Sequence, residues 1–199
     1  ADGSVTLYCS TVDMGQGSDT ANAQLVAEVL NMPAESIKVV HPDTDVTPYD
    51  MATLGSRSTF HMGHAVRLAS EEARDKLLAL AQEVGLSGET TPIRDIFRKK
   101  YGMQAGNIVG TGTLVPTTAP TDYETGQCAD VTPYWMIGAT GVEVEVDTET
   151  GRYTVTRMVN VGDVGRAINP EIVESQLSGA AIMQFGFTTS EKMEFSAGQ

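Results

Sequence analysis

One short stretch constrains the fold more than any other, because it predicts a strand, a turn and a helix in immediate succession. Residues 4–9 are rich in β-branched and aromatic side chains, which is typical of a β-strand. Residues 21–30 carry apolar side chains at helical spacing, which predicts a helix. Ser18 or Asp19 is available as its N-cap. These residues therefore predict a strand–turn–helix unit.

The turn within this unit is Gly15-Gln16-Gly17. Such a turn presents backbone N–H groups at the positive end of a helix dipole, where a phosphate or another anion is stabilised. The glycines permit close approach to the backbone, and the Gln16 amide both donates and accepts hydrogen bonds. The turn has neither the lysine of a P-loop nor the third glycine of a dinucleotide-binding fingerprint. This pattern alone leaves open both an anion site and an ordinary strand-to-helix turn.

A second segment rich in glycine and hydroxyl residues, Thr53-Leu54-Gly55-Ser56-Arg57-Ser58-Thr59, precedes a helix predicted over residues 63–84. Its hydroxyl groups, backbone amides and guanidinium group together suit an anion. The alternative is an extended helix cap with a solvated Arg57. Two such segments in one chain are more than chance predicts, so the pair strengthens the phosphate-binding interpretation.

The histidines and cysteines do not predict a metal site. His61 and His64 lie three residues apart near a helix start, but the sequence places no further ligands with them. His41, at the end of a predicted strand, is interpreted as structural. Cys9 and Cys128 are far apart and have no metal-ligand spacing, so a structural role in a reducing compartment is expected.

The net charge of −13 and the pI near 4.5 argue against a nucleic-acid partner and against an anionic membrane surface. No apolar run reaches transmembrane length, so no transmembrane segment is expected. A cytoplasmic location is predicted, with the periplasm as the alternative. The chain starts at Ala1 without a methionine, and we expect it to be a piece of a longer polypeptide.

The remaining elements complete an α+β prediction of two lobes, residues 1–105 and 106–199, each a small mixed sheet with helices packed on one face. An irregular connection is expected over 116–133. A β-hairpin with charged residues on alternate positions is the clearest element; its Glu143 and Glu145 form a solvated face and not a catalytic pair. The predicted strands are 37–41, 108–115, 141–147 and 152–159, and the further helices are 91–101 and 171–185.

Gln176 is the polar exception in the last predicted helix, whose other residues are mostly apolar. A glutamine buried in such a helix needs a hydrogen-bond partner. A core hydrogen bond and a contact with a ligand are both open for this residue.

Three motifs, in this order, resemble a known family. They are Met14-Gly15-Gln16-Gly17, Gly55-Ser56-Arg57-Ser58-Thr59, and a late block that runs from Gly141 to Gly179 and includes Asp163-Val164-Gly165, Asn169-Pro170 and Gln176-Leu177-Ser178-Gly179. The chain resembles the molybdenum-cofactor-binding region of the large subunit in the xanthine dehydrogenase and aldehyde oxidase family of molybdenum hydroxylases. The resemblance covers essentially all residues and is weakest over 85–107 and 116–133.

The resemblance implies that the two glycine-containing turns hold the pterin and phosphates of the molybdenum cofactor, molybdopterin cytosine dinucleotide. Its dithiolene sulfurs hold the metal, so no protein cysteine is required. Ser175 and Gln184 occupy positions where glycine is usual in the family, and Leu54 one that is often small. The implied cofactor-binding residues are Gly15, Gln16, Gly17, Ser18, Thr53, Gly55, Ser56, Arg57, Ser58 and Gln176.

The family hydroxylates an aldehyde or an N-heterocycle with water as the oxygen source, and a glutamate acts as general base. That glutamate belongs to a Gly-Glu motif expected beyond Gln199, and Glu191 and Glu194 occur too early, so this chain carries no implied catalytic residue. The implied partners are the remainder of the large subunit, an iron–sulfur subunit, a flavin (FAD) subunit and a small-molecule substrate.

The piece alone is expected to be inactive. A non-catalytic scaffold that binds a nucleotide or phosphate is the alternative, and a structural unit without cofactor is a third interpretation.

Overall fold

The computed structural model describes residues 2–198 and confirms the α+β class. It divides into two compact units, Ala1–Thr117 and Thr118–Gln199. The functional lobes predicted as 1–105 and 106–199 stay a prediction. The elements are β1 (Val5–Tyr8), α1 (Ser18–Leu30), a 3₁₀ turn (Ala34–Ser36), β2 (Ile37–Val40), a π-helical turn (Ser58–Met62), α2 (Gly63–Glu83), α3 (Ile93–Tyr101), β3 (Ile137–Val146), β4 (Tyr153–Asp163) and α4 (Pro170–Thr189).

In the first unit, β1 and β2 pair in parallel, with Val5 opposite Ile37 and Tyr8 opposite Val40. Parallel neighbours need a crossover connection, and α1 provides it. The predicted strand–turn–helix unit is therefore confirmed as the first half of a β–α–β motif. Its turn lies at the carboxyl end of β1, where the chain passes from the sheet into the helix.

Two buried clusters hold the first unit together. One forms where α1 packs against β2 and α2, and includes Val26, Ile37 and Val66. The other forms between α2 and α3 around Ile96 and Phe97. Apolar residues that share one face of α1 and of α2 contribute to these clusters, and their spacing is the pattern that predicted these two helices.

The predicted strand over residues 108–115 is wrong. These residues are irregular, and residues 108–112, here called the strap, lie along α2 instead of in a sheet. The Thr111 amide donates to Glu72 Oε2 at 2.5 Å, and Lys76 Nζ donates to the Val109 carbonyl oxygen at 2.7 Å.

Glycine explains how the strap approaches the helix so closely. A Cβ atom on Gly110 would lie 2.8 Å from the Ala73 nitrogen, and one on Gly112 would lie 2.6 Å from the Ala69 nitrogen. The two glycines alternate as the residues of a strand do, but their common face lies on helix backbone. The alternation of this segment therefore reflects packing against a helix rather than pairing within a sheet.

The second unit contains the predicted hairpin, which is confirmed as the antiparallel pair β3–β4 with a register shift between Glu143 and Val144. Asp147 closes the turn by accepting hydrogen bonds from the amides of Glu149 and Thr150. The connection over residues 116–133 is irregular, as predicted.

Helix α4 is also confirmed. Asn169 caps it, because its side-chain oxygen accepts a hydrogen bond from the Ile172 amide at 3.1 Å. Pro170 occupies the first turn of this helix, where the missing N–H has no cost.

Among residues 2–198, no helix is both long enough and apolar enough to cross a membrane.

Candidate functional site

The structure brings the two predicted turns together. We call residues 12–18 the first turn and residues 53–59 the second turn. The Val12 amide of the first turn donates to Thr53 Oγ1 of the second at 2.8 Å. A shallow surface depression lies beside this junction. It is lined by Thr11, Asp50, Ala52, Arg57, Ser58, His61 and Met62.

Gln16 uses its side-chain amide to hold the first turn in shape. Its Oε1 accepts from the Met14 amide at 2.7 Å, and its Nε2 donates to the Val12 carbonyl oxygen at 2.8 Å. The same Nε2 donates to Ser18 Oγ at 3.1 Å, and Ser18 is buried. Gln16 and Ser18, both predicted to contact a ligand, thus contact each other across the turn.

The predicted N-cap of α1, Ser18 or Asp19, is wrong. Gly17 occupies the N-cap position with φ 76°, a left-handed conformation that glycine adopts without a steric penalty. The side-chain acceptor comes from Asp13 instead. Its Oδ1 accepts from the Gly15 amide at 2.9 Å, and its Oδ2 accepts from the Asp19 amide at 3.0 Å.

Sequence reasoning missed Asp13, although an aspartate two residues before a glycine is a recognised signal for a side-chain-closed turn. Hydrogen bonding by the Asp19 amide, with smaller contributions from the amides of Gly15 and Gly17, lowers the pKa of Asp13 below its ordinary value. Asp13 is therefore ionised at neutral pH and places a negative charge at the positive end of the α1 dipole.

Asp19 has the opposite environment. Burial, and then the nearby Asp13 charge, raise the pKa of Asp19, while His41 acts against them. His41 Nδ1 lies 3.5 Å from Asp19 Oδ2. The Asp19 side chain is 24% exposed, and its buried Oδ1 has no hydrogen-bond partner. The environments of the two aspartates thus shift their pKa values in opposite directions, although both residues lie near the start of α1.

Arg57 is anchored rather than solvated, which resolves the alternative left open for it. One guanidinium nitrogen donates to the Ala52 carbonyl oxygen at 2.5 Å, and the other lies 3.2 Å from Asp50 Oδ1. The two side chains are 20% and 14% exposed. Asp50 therefore balances the charge of Arg57 and fixes its direction, and sequence reasoning missed this partner.

The backbone of the second turn is strained at one residue. Gly55 and Ser56 both have positive φ, 57° and 60°, and the left-handed region is costly for a residue such as serine. Ser58 then begins the π-helical turn that leads into α2. Positive φ at a residue other than glycine and single π-helical turns both concentrate at functional sites.

The histidines near the second turn pack against an aromatic ring. Phe60 meets His61 edge-on at 5.4 Å between ring centroids, and His64 Nδ1 lies 2.6 Å from the Phe60 carbonyl oxygen. Burial, and then the Arg57 charge, lower the pKa of His61. Across residues 2–198, the histidine, cysteine, aspartate and glutamate side chains do not gather into a group of three that could hold a metal ion.

Both cysteines are free thiols. Cys9, at the end of β1, is buried, and burial raises the pKa of its thiol. Cys128 Sγ donates to the Ala119 carbonyl oxygen at 3.1 Å within the irregular connection. These positions agree with the structural interpretation of both residues.

Gln176 lies on α4 in the second unit, where its side chain is exposed rather than buried in a core. The core hydrogen bond considered for it is therefore absent. Its predicted contact with a cofactor stays a prediction.

The two turns leave room for a ligand on their glycines. A Cβ atom on Gly15 or Gly55 would meet nothing within 4 Å. A hydrogen-bonding, anionic ligand can therefore approach the backbone at both positions, and Gly55 is on the same turn as the anchored Arg57. The amides of Gly15 and Asp19 already donate to Asp13, so such a ligand fits the turns through their other polar groups.

A family model described as "Molybdopterin cofactor-binding domain" matches residues 1–199. The chain belongs to this family. The family expected from the three sequence motifs is therefore confirmed, and the two adjacent turns are part of a molybdopterin cofactor-binding domain.

Relatives of this cofactor-binding domain carry oxidoreductase names. The "Probable hypoxanthine oxidase XdhD" of Escherichia coli K12 is 30% identical over 99% of the chain, which spans 21% of that relative. The "6-hydroxypseudooxynicotine dehydrogenase complex subunit gamma" of Paenarthrobacter nicotinovorans is 32% identical over 92% of the chain, which spans 24% of it.

A solved structure shares the fold of the cofactor-binding domain. The crystal structure of the aldehyde oxidoreductase from Desulfovibrio desulfuricans ATCC 27774 matches with a TM-score of 0.76 and 30% identity. The match covers 93% of the chain and 19% of that protein. The chain therefore spans about a fifth to a quarter of the length of these relatives.

Proposed function

We propose that the chain is the part of a molybdenum hydroxylase subunit that binds the molybdenum cofactor as molybdopterin cytosine dinucleotide. The observation that carries this proposal is the hydrogen bond from the Val12 amide to Thr53 Oγ1, which holds the two turns side by side. Membership of the molybdopterin cofactor-binding domain family supports the choice of ligand. The proposed ligand contacts are Gly15, Gln16, Gly17, Ser18, Thr53, Gly55, Ser56, Arg57, Ser58 and Gln176.

The residues of the two turns have different roles in binding. The open faces of Gly15 and Gly55 let the ligand approach the backbone. Asp50 and the Ala52 carbonyl oxygen fix the direction of the Arg57 guanidinium, which can donate hydrogen bonds to an anionic group beside the second turn. Gln16 keeps the first turn in one conformation, which lowers the entropic cost of binding.

When bound, the cofactor supplies the molybdenum centre at which an aldehyde or an N-heterocycle is hydroxylated with oxygen from water. We assign no catalytic residue to this chain, and we propose that the general-base glutamate comes from the remainder of the subunit. The chain alone is then inactive.

Electrons leave through iron–sulfur clusters, and in some assemblies through FAD, on other domains or subunits. A small molecule is the substrate, and the cytoplasm is the proposed location, with the periplasm as the alternative. The names of relatives as a "complex subunit gamma" and a "large subunit" support an assembly of several subunits.

The proposal is tested by Gln16→Ala in the full-length subunit. Molybdenum is measured by elemental analysis, and released CMP is measured after acid hydrolysis. The substitution removes three hydrogen bonds inside the first turn, each of which contributes about 0.5–1.5 kcal/mol to its conformation. We expect the variant to lose both molybdenum and CMP while it stays folded. Gln104→Ala, at an exposed glutamine of the same unit, is the control and keeps both.

Two outcomes contradict the proposal. A wild-type subunit that holds neither molybdenum nor CMP has no such cofactor. CMP without molybdenum instead favours the alternative, a non-catalytic scaffold that binds a nucleotide or phosphate.

A further inference from the structure

We propose that Asp13 is a positioning residue of the cofactor site: its carboxylate fills the anion position at the N-terminus of α1 and so fixes the first turn. This inference rests on the proposed function, because it states how the turn is prepared for the cofactor. It also changes the expectation from sequence, in which the helix N-terminus was open to an external phosphate.

The geometry of the Asp13 carboxylate matches that of a bound anion. Its two oxygens accept separately from the amides of Gly15 and Asp19, at 2.9 and 3.0 Å. The Asp19 amide lies in the first turn of a 13-residue helix, where N–H groups have no partner within the helix, and the Gly15 amide lies in the turn just before it. An ionised carboxylate satisfies these donors with charge-assisted hydrogen bonds and interacts favourably with the helix dipole.

The Asp13 contacts are part of a larger hydrogen-bond network. Gln16 joins the amide of Met14, the carbonyl oxygen of Val12 and the hydroxyl of Ser18. The amide of Val12 then reaches Thr53 on the second turn. Asp13 therefore fixes both ends of the segment that carries Gln16, and its effect extends through Val12 to the second turn.

One consequence concerns where the phosphates of the cofactor bind. An external anion at the start of α1 would have to displace the Asp13 carboxylate, and the two negative charges would repel each other. The phosphates therefore bind elsewhere on the two turns, and the anchored guanidinium of Arg57 is a cationic donor that the second turn offers them. The α1 N-terminus therefore holds the first turn through Asp13 and does not bind a phosphate of the cofactor.

The experiment compares Asp13→Ala, Asp13→Asn and a control, Asp147→Ala, in the full-length subunit. Asp147 accepts from two backbone amides in the hairpin turn, so its replacement removes the same kind of contact in the second unit. Hydrogen exchange, followed by mass spectrometry, is read in peptides covering residues 14–20 and 148–151. Molybdenum and CMP are measured in the same preparations.

We expect Asp13→Ala to speed exchange over residues 14–20 and to lower molybdenum and CMP by roughly fivefold or more, since two charge-assisted hydrogen bonds are lost. Asp13→Asn keeps one acceptor oxygen and restores part of both signals. Asp147→Ala speeds exchange only over residues 148–151 and keeps the wild-type cofactor content. Inorganic phosphate slows exchange over residues 14–20 in Asp13→Ala but not in the wild type, where the position is filled.

Three results would overturn the proposal. The first is wild-type cofactor content in Asp13→Ala, and the second is exchange over residues 14–20 that the substitution leaves unchanged. The third is slowing of this exchange by phosphate in the wild type. A wild-type subunit without cofactor contradicts the proposed function instead, while the exchange measurements still decide whether Asp13 fixes the turn.

Discussion

The two units of the chain contain similar elements and differ in burial. The first unit has a parallel strand pair with three α-helices, and the second has an antiparallel pair with one α-helix. In the first, Ile96 is 0% exposed and lies within a buried cluster. In the second, every residue of β3 is exposed, and none of the described residues 118–198 is buried. Well-formed secondary structure therefore coexists with two very different kinds of packing.

The difference follows from the way each unit covers its sheet. In the first unit, α1 crosses between parallel strands and packs against both β2 and α2, so its apolar side chains have a surface to meet. A two-stranded hairpin with a single helix offers little such surface and is at best marginally stable by itself. We therefore expect the first unit to carry most of the stability of the chain.

The largest expected effect comes from truncating a buried residue of the first unit. Ile96→Ala removes a side chain that is 0% exposed between α2 and α3. Lost hydrophobic transfer energy and the remaining cavity lower the free energy of unfolding by about 2–5 kcal/mol. Urea unfolding of the chain, followed by circular dichroism, measures the change.

Ile182→Ala is the matched change in the second unit, where the side chain is 67% exposed on α4. We expect it to change the free energy of unfolding by about 0.5 kcal/mol or less. Equal effects of the two substitutions would contradict the contrast in burial between the units.

The same contrast explains which elements could be predicted from sequence. Helices α1 and α2 and the hairpin follow from local periodicity, which the chain shows whether or not the element becomes buried. The confirmed hairpin turn is likewise local, because Asp147 bonds to residues two and three positions later.

The contacts that sequence did not predict join distant residues or depend on precise geometry. Arg57 is anchored by Asp50, and the strap bonds to Glu72, 39 residues earlier in the chain. Asp13, rather than either predicted residue, accepts from the Asp19 amide of α1, and Gly17 occupies the N-cap position in a left-handed conformation. The two predicted turns lie side by side, and their role as a cofactor site stays a prediction, whereas the hydrogen-bond partners inside each turn required the structure.

A substitution at the strap tests close packing in the first unit. Gly112→Ala places a Cβ atom 2.6 Å from the Ala69 nitrogen, and helix backbone cannot move aside as a side chain can. We expect a loss of about 1–3 kcal/mol in the free energy of unfolding, together with faster proteolysis near residues 108–115. Thermal unfolding and limited proteolysis measure the two effects.

Gly179→Ala is the control in the second unit, since a Cβ atom there meets nothing within 4 Å. Gly179 lies inside α4, and alanine is the better helix former by about 0.5–1 kcal/mol. The same chemical change should therefore destabilise at one site and stabilise at the other. Destabilisation by both substitutions would contradict the open packing of the second unit.

The smallest expected effect is a pH dependence of the strap. Lys76, and then the amide and hydroxyl of Thr111, lower the pKa of Glu72 from 4.5 to about 2. Because the folded-state pKa is depressed, the stabilisation is complete above the unfolded value and is lost as pH falls from about 4.5 towards 2. The pKa of Asp147 is also lowered, but by Thr150 and Glu149 of its own turn. Protonation there changes only a local contact.

The amide proton chemical shifts of Thr111 and Glu149, titrated by NMR, report the two carboxylates separately. We expect the Thr111 shift to move with the titration of Glu72 and, as the contact weakens, shifts along the strap to move with it. The Glu149 shift should move with the titration of Asp147, and the other shifts that move with it should be confined to the hairpin turn. In Glu72→Gln the titration at Thr111 disappears while that at Glu149 stays, because a glutamine accepts a hydrogen bond but has no proton to gain. If the Thr111 titration persists in this variant, another group titrates beside the strap, and the proposed control of the strap by Glu72 is wrong.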